Sequence, residues 1–358
     1  MNKETLKIND YNINLVESAG HAFDEWFANK EYSSVFIFTD ENVLEHCWPK
    51  LQNESDVIKN AELIVIPAGE NQKDLEMAHQ LWQMMIEYGA DRKSLWVNFG
   101  GGMISDLGGF VASTYKRGID FVNIPTTLLS MIDASVGGKT GINLGHFKNQ
   151  IGVFSNPKAL WLQADFLDSL NETQMLSGWA EMLKHALISD KKQWEKLSKI
   201  SKLSSLIIED LLLNSIQIKK KIVEEDPLEK HIRKKLNFGH TIGHAIESWS
   251  LEHDDPPLQH GEAVAIGMIT ESYLSFKYKQ LQKADLDEIV EVLQSFFLKY
   301  QIPVNFLDQI ENLIKQDKKK EGNKLNFTFV NQIGQSIINQ DGRLEDIKES
   351  IIFYKENF

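Results

Sequence analysis

The sequence predicts an α/β protein with an N-terminal parallel-sheet domain and a mostly α-helical C-terminal domain. Short apolar runs alternate with helical patterns through the first half of the chain, which is typical of a parallel sheet with helices on both faces. From about Met175 onward the apolar residues recur with helical spacing instead. Because 358 residues exceed one typical domain, we predict two domains, 1–174 and 175–358.

Four apolar runs in the first half are predicted strands, namely Val35–Phe38, Leu63–Ile66, Leu95–Phe99 and Phe121–Ile124. A helical pattern through Leu75, Leu81 and Met85 separates the second run from the third. Ligands in such folds bind at the carboxyl ends of the strands. The residues that follow each run are therefore candidates for a binding site.

The second half is predicted to hold a series of helices. One passes through Trp179, Met182 and Leu183, and a polar one extends through Lys219. A further helix is predicted from Ala284 to Tyr300.

Composition limits the classes of partner. A formal net charge of −13 argues against a general binder of nucleic acid or anionic membrane, since both favour basic surfaces. The single cysteine, Cys47, excludes an intramolecular disulfide and favours a reducing compartment. The N-terminus lacks a signal-peptide core, and no apolar run is long enough to span a bilayer. We expect a cytoplasmic protein with neither nucleic acid nor membrane as partner.

A glycine-rich turn follows the third predicted strand, with the residues Gly100, Gly101, Gly102, Met103, Ile104, Ser105 and Asp106. Backbone amides in such a turn approach a phosphate closely, and the following helix N-terminus attracts its charge. Together with the strand pattern, this turn favours a Rossmann-like domain. However, Ser105 stands where GxGxxG has its third glycine, and tight strand–helix turns need glycine without any ligand. Dinucleotide binding and a purely structural turn both stay open.

A locally cationic stretch follows in this acidic chain. No acidic residue lies between Asp133 and Asp165, whereas Lys139, Lys148 and Lys158 do. Glycines flank Lys139 on both sides, which indicates a bent backbone. The stretch favours a small anionic ligand, the alternative being a surface loop with solvated lysines.

Three histidines, His240, His244 and His260, fall in one short window. The first two are four apart and share one face of a helix, so their spacing suggests that they bind one zinc-type ion, which His260 could fold back to meet. The alternative is that two histidines fall at helical spacing by chance. Catalytic zinc often takes a carboxylate beside two histidines. Three carboxylates are candidates for that ligand, and the sequence does not choose among Glu181, Glu229 and Glu262.

Motifs along almost the whole chain resemble those of the 3-dehydroquinate synthases. They include GGGMISDLGGFVASTYKRGIDFVNIPTTLL, SVGGKTGIN, AEMLKH, LNFGHTIGHA and HGEAVAIGM, in this order. The resemblance implies an NAD-dependent lyase that needs Zn²⁺ or Co²⁺ and acts in the shikimate pathway to aromatic amino acids. Its substrate would be a sugar phosphate, 3-deoxy-D-arabino-heptulosonate 7-phosphate, which it would convert to 3-dehydroquinate and phosphate.

The resemblance also implies roles for individual residues. The metal ligands would be Glu181, His240 and His260, with His244 an active-site group near the substrate phosphate. NAD would be held by Asp40, Asn42, Glu70, Lys73, Gly100 to Asp106, Thr126, Thr127, Lys139 and Lys148, bordered by Phe166, Leu167, Asp168 and Ser169. Anionic substrate groups would meet Lys139, Asn149, Lys184, Lys219, Arg233, Asn237 and Lys318 or Lys319. Asp133 and Glu229 would line the site, and Arg117 would reach a neighbouring subunit, which implies a homodimer.

The family pattern has departures here and leaves alternatives. Ser105 replaces a glycine of the family's GGGxxGD, which could weaken NAD binding. The alternatives are another sugar phosphate cyclase and a metal-dependent NAD polyol dehydrogenase. Lys219, Arg233 and Asn237 argue against the latter, since a neutral polyol needs no such groups. A catalytically silent scaffold or metal-storage protein is disfavoured by the full set of candidate groups.

Overall fold

The computed structural model describes residues 2–145, 147–303, 305–307, 309–310 and 325–358. They form two compact units. The first holds the residues up to Asn171 together with Ser204–Lys220, and the second holds Glu172–Leu203 and the residues from Lys221 onward. The domain boundary between residues 174 and 175 stays a prediction.

The described strands are β1 (Asn2–Ile8), β2 (Tyr11–Val16), β3 (Val35–Asp40), β4 (Glu62–Ile66), β5 (Leu95–Gly100), β6 (Asp120–Pro125), β7 (Lys139–Leu144), β8 (Phe147–Phe154), β9 (Leu160–Leu162), β10 (Leu325–Gln332) and β11 (Gln335–Gly342). The described helices are α1 (Ala19–Phe27), α2 (Glu41–His46), α3 (Trp48–Glu54), α4 (Asp56–Lys59), α5 (Leu75–Glu87), α6 (Gly102–Thr114), α7 (Glu172–Ser189), α8 (Lys191–Leu197), α9 (Ser205–Glu225), α10 (His240–His253), α11 (His260–Lys277), α12 (Lys283–Phe296) and α13 (Leu344–Asn357).

A seven-stranded sheet in the order β1-β2-β9-β6-β5-β3-β4 forms the centre of the first unit. β1 and β2 are antiparallel, and the other neighbouring strands run parallel. The four strands expected from the sequence are confirmed as β3, β4, β5 and β6. All six residues of β5 are buried, as expected for a central strand of a covered parallel sheet. The mixed α/β fold class is thereby confirmed.

Several strands were not predicted. β9 has only three residues, too short to produce a periodic signal. β1 and β2 carry many polar residues, such as Lys7 and Asn14, and are joined by a tight turn at Asn9, whose φ is 49°. The antiparallel hairpins β7–β8 and β10–β11 lie outside the main sheet, so neither had to show the long buried apolar run used to recognise strands.

The second unit contains six of the described helices and the β10–β11 hairpin. The helix predicted from Ala284 to Tyr300 ends earlier, at Phe296. A tertiary contact accounts for the difference, because the Tyr300 backbone N–H donates to the Tyr354 hydroxyl at 2.9 Å. Among the described helices, none combines the length and the apolar character needed to cross a bilayer.

A buried carboxylate joins α13 to α11 in the second unit. The Asp346 side chain is 1% exposed and forms an ion pair with Lys277 at 2.6 Å. It also accepts hydrogen bonds from the Tyr278 hydroxyl at 2.5 Å and from Arg343 Nε at 2.8 Å. The hydrogen bonds from Arg343 and the nearby Lys277 hold the pKa of Asp346 well below its usual value, against the effect of burial.

Asp346→Asn is expected to lower the free energy of unfolding by about 2 kcal/mol at neutral pH, because the charge-assisted bonds to the carboxylate are lost. The loss is not larger because solvent screens the exposed Arg343 side chain. Because the folded pKa is depressed, this stabilisation is present above the unfolded pKa of about 3.9 and is lost as pH falls toward the folded value. Urea unfolding at a series of pH values checks this. A difference between wild type and variant that grows toward acid pH would contradict it.

Candidate active site

Three side chains of the second unit converge on one point. Glu181 lies in the middle of α7, while His240 and His260 are the first residues of α10 and α11. Glu181 Oε1 lies 3.4 Å from His240 Nε2 and 3.7 Å from His260 Nε2. One ligand atom from each of the three residues lies within 4.8 Å of the others. The set that the family resemblance implied is therefore brought together.

Glycines allow the three helices to approach closely enough for this. A Cβ atom on Gly261 would lie 2.3 Å from Ser177 Cα, and the Gly261 amide donates to Ser177 Oγ at 3.0 Å. Ser177 precedes Glu181 by one helical turn, so this contact sets Glu181 beside the start of α11. On the α10 side, a Cβ atom on Gly267 would lie 1.8 Å from the Gly239 carbonyl oxygen.

The histidine rings are oriented by the nitrogens that face away from Glu181. His240 Nδ1 lies 3.0 Å from the Phe238 carbonyl oxygen, and His260 Nδ1 lies 3.2 Å from Glu247 Oε2. A carbonyl or carboxylate oxygen only accepts, so Nδ1 carries a proton in each ring, and Nε2, which faces Glu181, is the nitrogen that could bind a metal ion. Metal-binding histidines have this arrangement.

The electrostatics of the cluster fit a cation. Both carboxylate oxygens of the fully buried Glu181 lack a hydrogen-bond partner within the described chain, although Lys184 forms an ion pair with this carboxylate. Burial raises the pKa of Glu181, but Lys184 and His240 outweigh it and hold the pKa well below its usual value. Burial and Lys184 lower the pKa of His240 to about 4, so its imidazole is neutral at neutral pH.

The chemistry of the donor set points to a zinc-type ion. Two neutral imidazoles and one carboxylate suit Zn²⁺ or Co²⁺, and three protein ligands leave a position open for substrate. His260 differs from His240, since Glu247 and Glu181 raise its pKa to about 9 against the effect of burial. A bound cation would favour deprotonation of such a ring, so metal binding here is coupled to proton release.

His244 is close to the cluster but lies in a different grouping. Its ring centroid is 5.0 Å from that of His240 and 5.9 Å from that of His260. Its ligand atom groups with those of Glu247 and His260 rather than with Glu181. The helical spacing that suggested a shared ion for His240 and His244 therefore identified neighbours, but not the set that contains the buried carboxylate.

Gly267→Ala is expected to lower the free energy of unfolding by about 3 kcal/mol, because its Cβ would overlap backbone atoms that cannot move independently. Displacement of α10 should weaken metal binding as well. Urea unfolding and metal titration check both effects. Ser272→Ala on the same helix is the control, because the Ser272 hydroxyl is buried without a hydrogen-bond partner among the described residues. Equal stability of Gly267→Ala and wild type would contradict the tight packing.

The predicted NAD residues of the first unit gather at one edge of the parallel sheet. Asp40 ends β3, Glu70 follows β4, Gly100 ends β5 and Thr126 follows β6. These four strands are neighbours in the order β4-β3-β5-β6, so their carboxyl ends lie side by side. Asp40 is buried and caps α2 by accepting from the Val43 amide at 3.0 Å, whereas Asn42 is exposed on that helix.

The glycine turn leads from β5 into α6 as predicted. No side chain in the described part of the chain caps α6 at Gly101, which leaves the first amides of the helix for an anion. The Thr126 amide donates to the Gly100 carbonyl oxygen at 3.0 Å, and a Cβ atom on Gly101 would lie 3.2 Å from Thr127. The Ser105 hydroxyl, where the family has glycine, is buried and contacts Ser135 Oγ at 2.9 Å.

Lys73 lies at the centre of a polar network in the first unit. Its ammonium is 2.6 Å from Asp106 Oδ2, 2.6 Å from Asn149 Oδ1 and 3.7 Å from Glu70 Oε1. Burial lowers the pKa of Lys73, but Asp106 and Glu70 raise it above the usual value, so the amine stays charged. Asn143 continues the network to Glu70 at 3.0 Å and to the Asn149 amide at 2.9 Å. The network thus joins four predicted site residues, namely Glu70, Lys73, Asp106 and Asn149.

The remaining predicted residues of the first unit occupy several environments. Phe166 and Leu167 are buried, with the Phe166 ring 5.4 Å from that of Phe99, while Asp168 and Ser169 are exposed. Met103 is half-buried and Ile104 is buried at the start of α6.

Exposed Lys139 and half-buried Lys148 lie on the β7–β8 hairpin, and Arg117 is exposed with a φ of 72°. Lys219 is buried and binds Asp133, through the carboxylate at 2.6 Å and the backbone carbonyl at 2.5 Å.

In the second unit, Arg233 and Asn237 lie in a short helical turn before α10. Arg233 is 2% exposed and donates to the Pro227 carbonyl oxygen at 2.7 Å. Asn237 donates to Glu229 Oε1 at 2.9 Å, and Glu229 has a φ of 56°. Lys184 is buried against Glu181. Lys318 and Lys319 lie outside the described residues. The functional roles of all these residues stay predictions.

Two carboxylates at the cluster, Glu247 and Glu271, were missed. A signal was present, since each is an acidic residue within a largely apolar helical stretch. Glu247 also lies seven residues after His240, on the same helix face.

Comparisons with known proteins agree along most of the chain. The family profile described as "3-dehydroquinate synthase N-terminal" matches residues 63–177, and the one described as "3-dehydroquinate synthase C-terminal" matches residues 178–320. A relative from Parabacteroides distasonis named 3-dehydroquinate synthase is 41% identical over 336 residues, covering 93% of this chain and 95% of the relative.

Solved structures with a similar fold are also found. A 2-deoxy-scyllo-inosose synthase complexed with carbaglucose-6-phosphate, NAD⁺ and Co²⁺ is 23% identical, with a TM-score of 0.87 and coverage of 99% of this chain and 100% of that chain. A 2-epi-5-epi-valiolone synthase from Streptomyces hygroscopicus subsp. jinggangensis, with NAD⁺ and Zn²⁺ bound, is 25% identical, with a TM-score of 0.82 and 99% coverage of both chains.

Proposed function

The chain belongs to the 3-dehydroquinate synthase family, and we propose on that premise that it converts 3-deoxy-D-arabino-heptulosonate 7-phosphate to 3-dehydroquinate and phosphate. The proposal makes it a phosphate-eliminating lyase that uses NAD and Zn²⁺ or Co²⁺. The observation that carries it is the convergence of Glu181 Oε1 with the Nε2 atoms of His240 and His260 in a chain of this family.

The two cofactors supply complementary chemistry when bound: the metal lowers the pKa of a substrate hydroxyl, and NAD takes up a hydride and later returns it. Glu181, His240 and His260 hold the metal, and the negative charge of Glu181 partly neutralises it. His244, beside these ligands, is placed to carry a proton at a reacting oxygen. The amides at the start of α6 would hold the NAD pyrophosphate, and Lys73 and Asp106 would fix the adjacent turn.

Cationic and amide side chains bind the anionic groups of the substrate in this proposal. Arg233, Asn237 and Lys184 in the second unit are suited to carboxylate and phosphate oxygens. In the first unit, Lys139 and Lys219, which Asp133 holds, match family positions for anionic substrate groups. Fixed donors hold the substrate in one geometry, which lowers the entropic part of the barrier.

The test of this function is a reaction of purified protein with the heptulosonate phosphate, Zn²⁺ or Co²⁺ and a catalytic amount of NAD. The proposal expects many equivalents of phosphate and dehydroquinate per NAD, with no lasting NADH absorbance. Stoichiometric accumulation of NADH would instead identify a polyol dehydrogenase. Faster phosphate release from a different sugar phosphate would identify another cyclase.

We also propose a cytoplasmic homodimer. The single cysteine fits a reducing compartment, and exposed Arg117 matches the family position that reaches a neighbouring subunit. Sedimentation of the wild type should give a dimer. Arg117→Ala should keep that dimer and lower activity, and a monomeric active wild type would overturn the proposal.

A further inference from the structure

Two buried carboxylates lie in the helices that carry the histidine ligands. Glu247 belongs to α10 and Glu271 to α11, and their exposed fractions are 3% and 0%. Burying a carboxylate is costly unless hydrogen bonds compensate for the lost water. The groups from which each one accepts therefore indicate what it does.

Glu247 on α10 contacts His260, the histidine at the start of α11. Its Oε2 lies 3.2 Å from His260 Nδ1, while His260 Nε2 faces Glu181 at 3.7 Å. An ionised carboxylate has no proton to donate, so Nδ1 is the donor of this hydrogen bond. The contact fixes both the tautomer and the rotation of the ring, which leaves the Nε2 lone pair for a metal ion.

Glu271 on α11 contacts the backbone at the start of α10, where His240 lies. Its two oxygens accept from the backbone amides of Gly239 at 2.8 Å and Ile242 at 3.1 Å. These amides belong to the start of α10, where Gly239 has no side chain with which to cap the helix. A carboxylate at a helix N-terminus is favourable, and this one fixes the turn from which His240 projects.

We propose that Glu247 and Glu271 are reciprocal positioning residues of the metal centre, each helix supplying the carboxylate that fixes the ligand on its partner. The inference rests on the proposed metal site at Glu181, His240 and His260. Neither carboxylate is itself a ligand. The second grouping of His244, Glu247 and His260 is then a consequence of the same hydrogen bond, because a protonated Nδ1 cannot bind a metal.

The first test is Glu247→Gln, which keeps the shape of the side chain and removes its charge. The dissociation constant for Co²⁺, measured by competition with a chelator, should rise about 10- to 100-fold. The visible absorption of bound Co²⁺ should change, because an amide oxygen accepts the Nδ1 hydrogen bond less strongly than a carboxylate and holds the ring less firmly. NAD affinity should not change. Unaltered Co²⁺ affinity and spectrum would overturn the role of Glu247.

The second test is Glu271→Gln, which places an amide nitrogen among backbone donors. Co²⁺ binding should weaken about tenfold, at the lower end of the range for supporting residues, since Glu271 acts through a helix turn. Asp346→Asn is the matched control, because it also removes a buried carboxylate from this unit but contacts none of the ligands. If Asp346→Asn weakens Co²⁺ binding as much as the two glutamine variants, general destabilisation explains the loss and the inference fails.

A double-variant comparison separates positioning from ligation. If Glu247 acts only through His260, the double variant with Glu247→Gln and His260→Ala should bind Co²⁺ with the same affinity as His260→Ala alone. A further loss in the double variant would make Glu247 a ligand and overturn the inference. Failure of the wild type to bind Co²⁺ would overturn the proposed metal site as well, whereas tight wild-type binding with no effect of Glu247→Gln overturns this inference alone.

Discussion

His240→Ala and His260→Ala are each expected to weaken metal binding enough that the ion is lost on dialysis, and to lower turnover by at least about three powers of ten, because a bound cation contributes several kcal/mol of charge stabilisation. Each substitution leaves Glu181 with one histidine instead of two at the point where the ligand atoms converge. The check is the metal content of each purified variant after dialysis, together with the rate of phosphate release.

The matched control is His253→Ala on the same helix as His240. The His253 ring stacks on Trp249 at a centroid distance of 3.8 Å and is not part of the cluster. This variant should keep wild-type metal content and activity. If His240→Ala and His260→Ala both retain stoichiometric metal, the ligand assignment is wrong.

His244→Ala is expected to keep the metal and to lower kcat by about 10²- to 10⁴-fold, the usual contribution of a general acid or base. The reason is its position beside the ligands without a place in the Glu181 grouping. Metal analysis of the purified variant and measurement of its kcat check this. Loss of metal equal to that of the two ligand variants would contradict the assignment.

The sequence was sufficient for the central fold but not for its edges. β3, β5 and β6 are buried on both sides, so a continuous apolar run identified them. β9 has three residues and pairs with β2 and β6, which are distant in the chain, and no local pattern encodes that pairing. The end of α12 was misplaced for the same reason, because a contact of Tyr300 with Tyr354 ends the helical pattern.

The metal cluster shows the same limit. Helical spacing correctly indicated that His240 and His244 are neighbours, but it could not indicate which ring faces the carboxylate on α7. That carboxylate is 59 residues away in the chain, and only the family resemblance selected Glu181. In the structure Gly261 and Gly267 allow the three helices to approach one another, and this brings Glu181 to the two histidines.

Glu247 and Glu271 could have been suspected from sequence but not assigned. An acidic residue in an apolar helix must find donors, yet the donors here lie on another helix. Lys73 presents a related case, because the resemblance implied cofactor contacts, whereas its ion pair with Asp106 and its bond to Asn149 appear only in the folded chain.

The most direct test of the proposed reaction uses substrate carrying deuterium at the carbon whose hydroxyl is oxidised. The enzyme is given a catalytic amount of unlabelled NAD, and the products are analysed by mass spectrometry after many turnovers. If NAD takes up and returns the hydride within one turnover, the dehydroquinate should retain the deuterium at that carbon. Deuterium that accumulates in NADH, or phosphate release that is equally fast without NAD, would contradict the account.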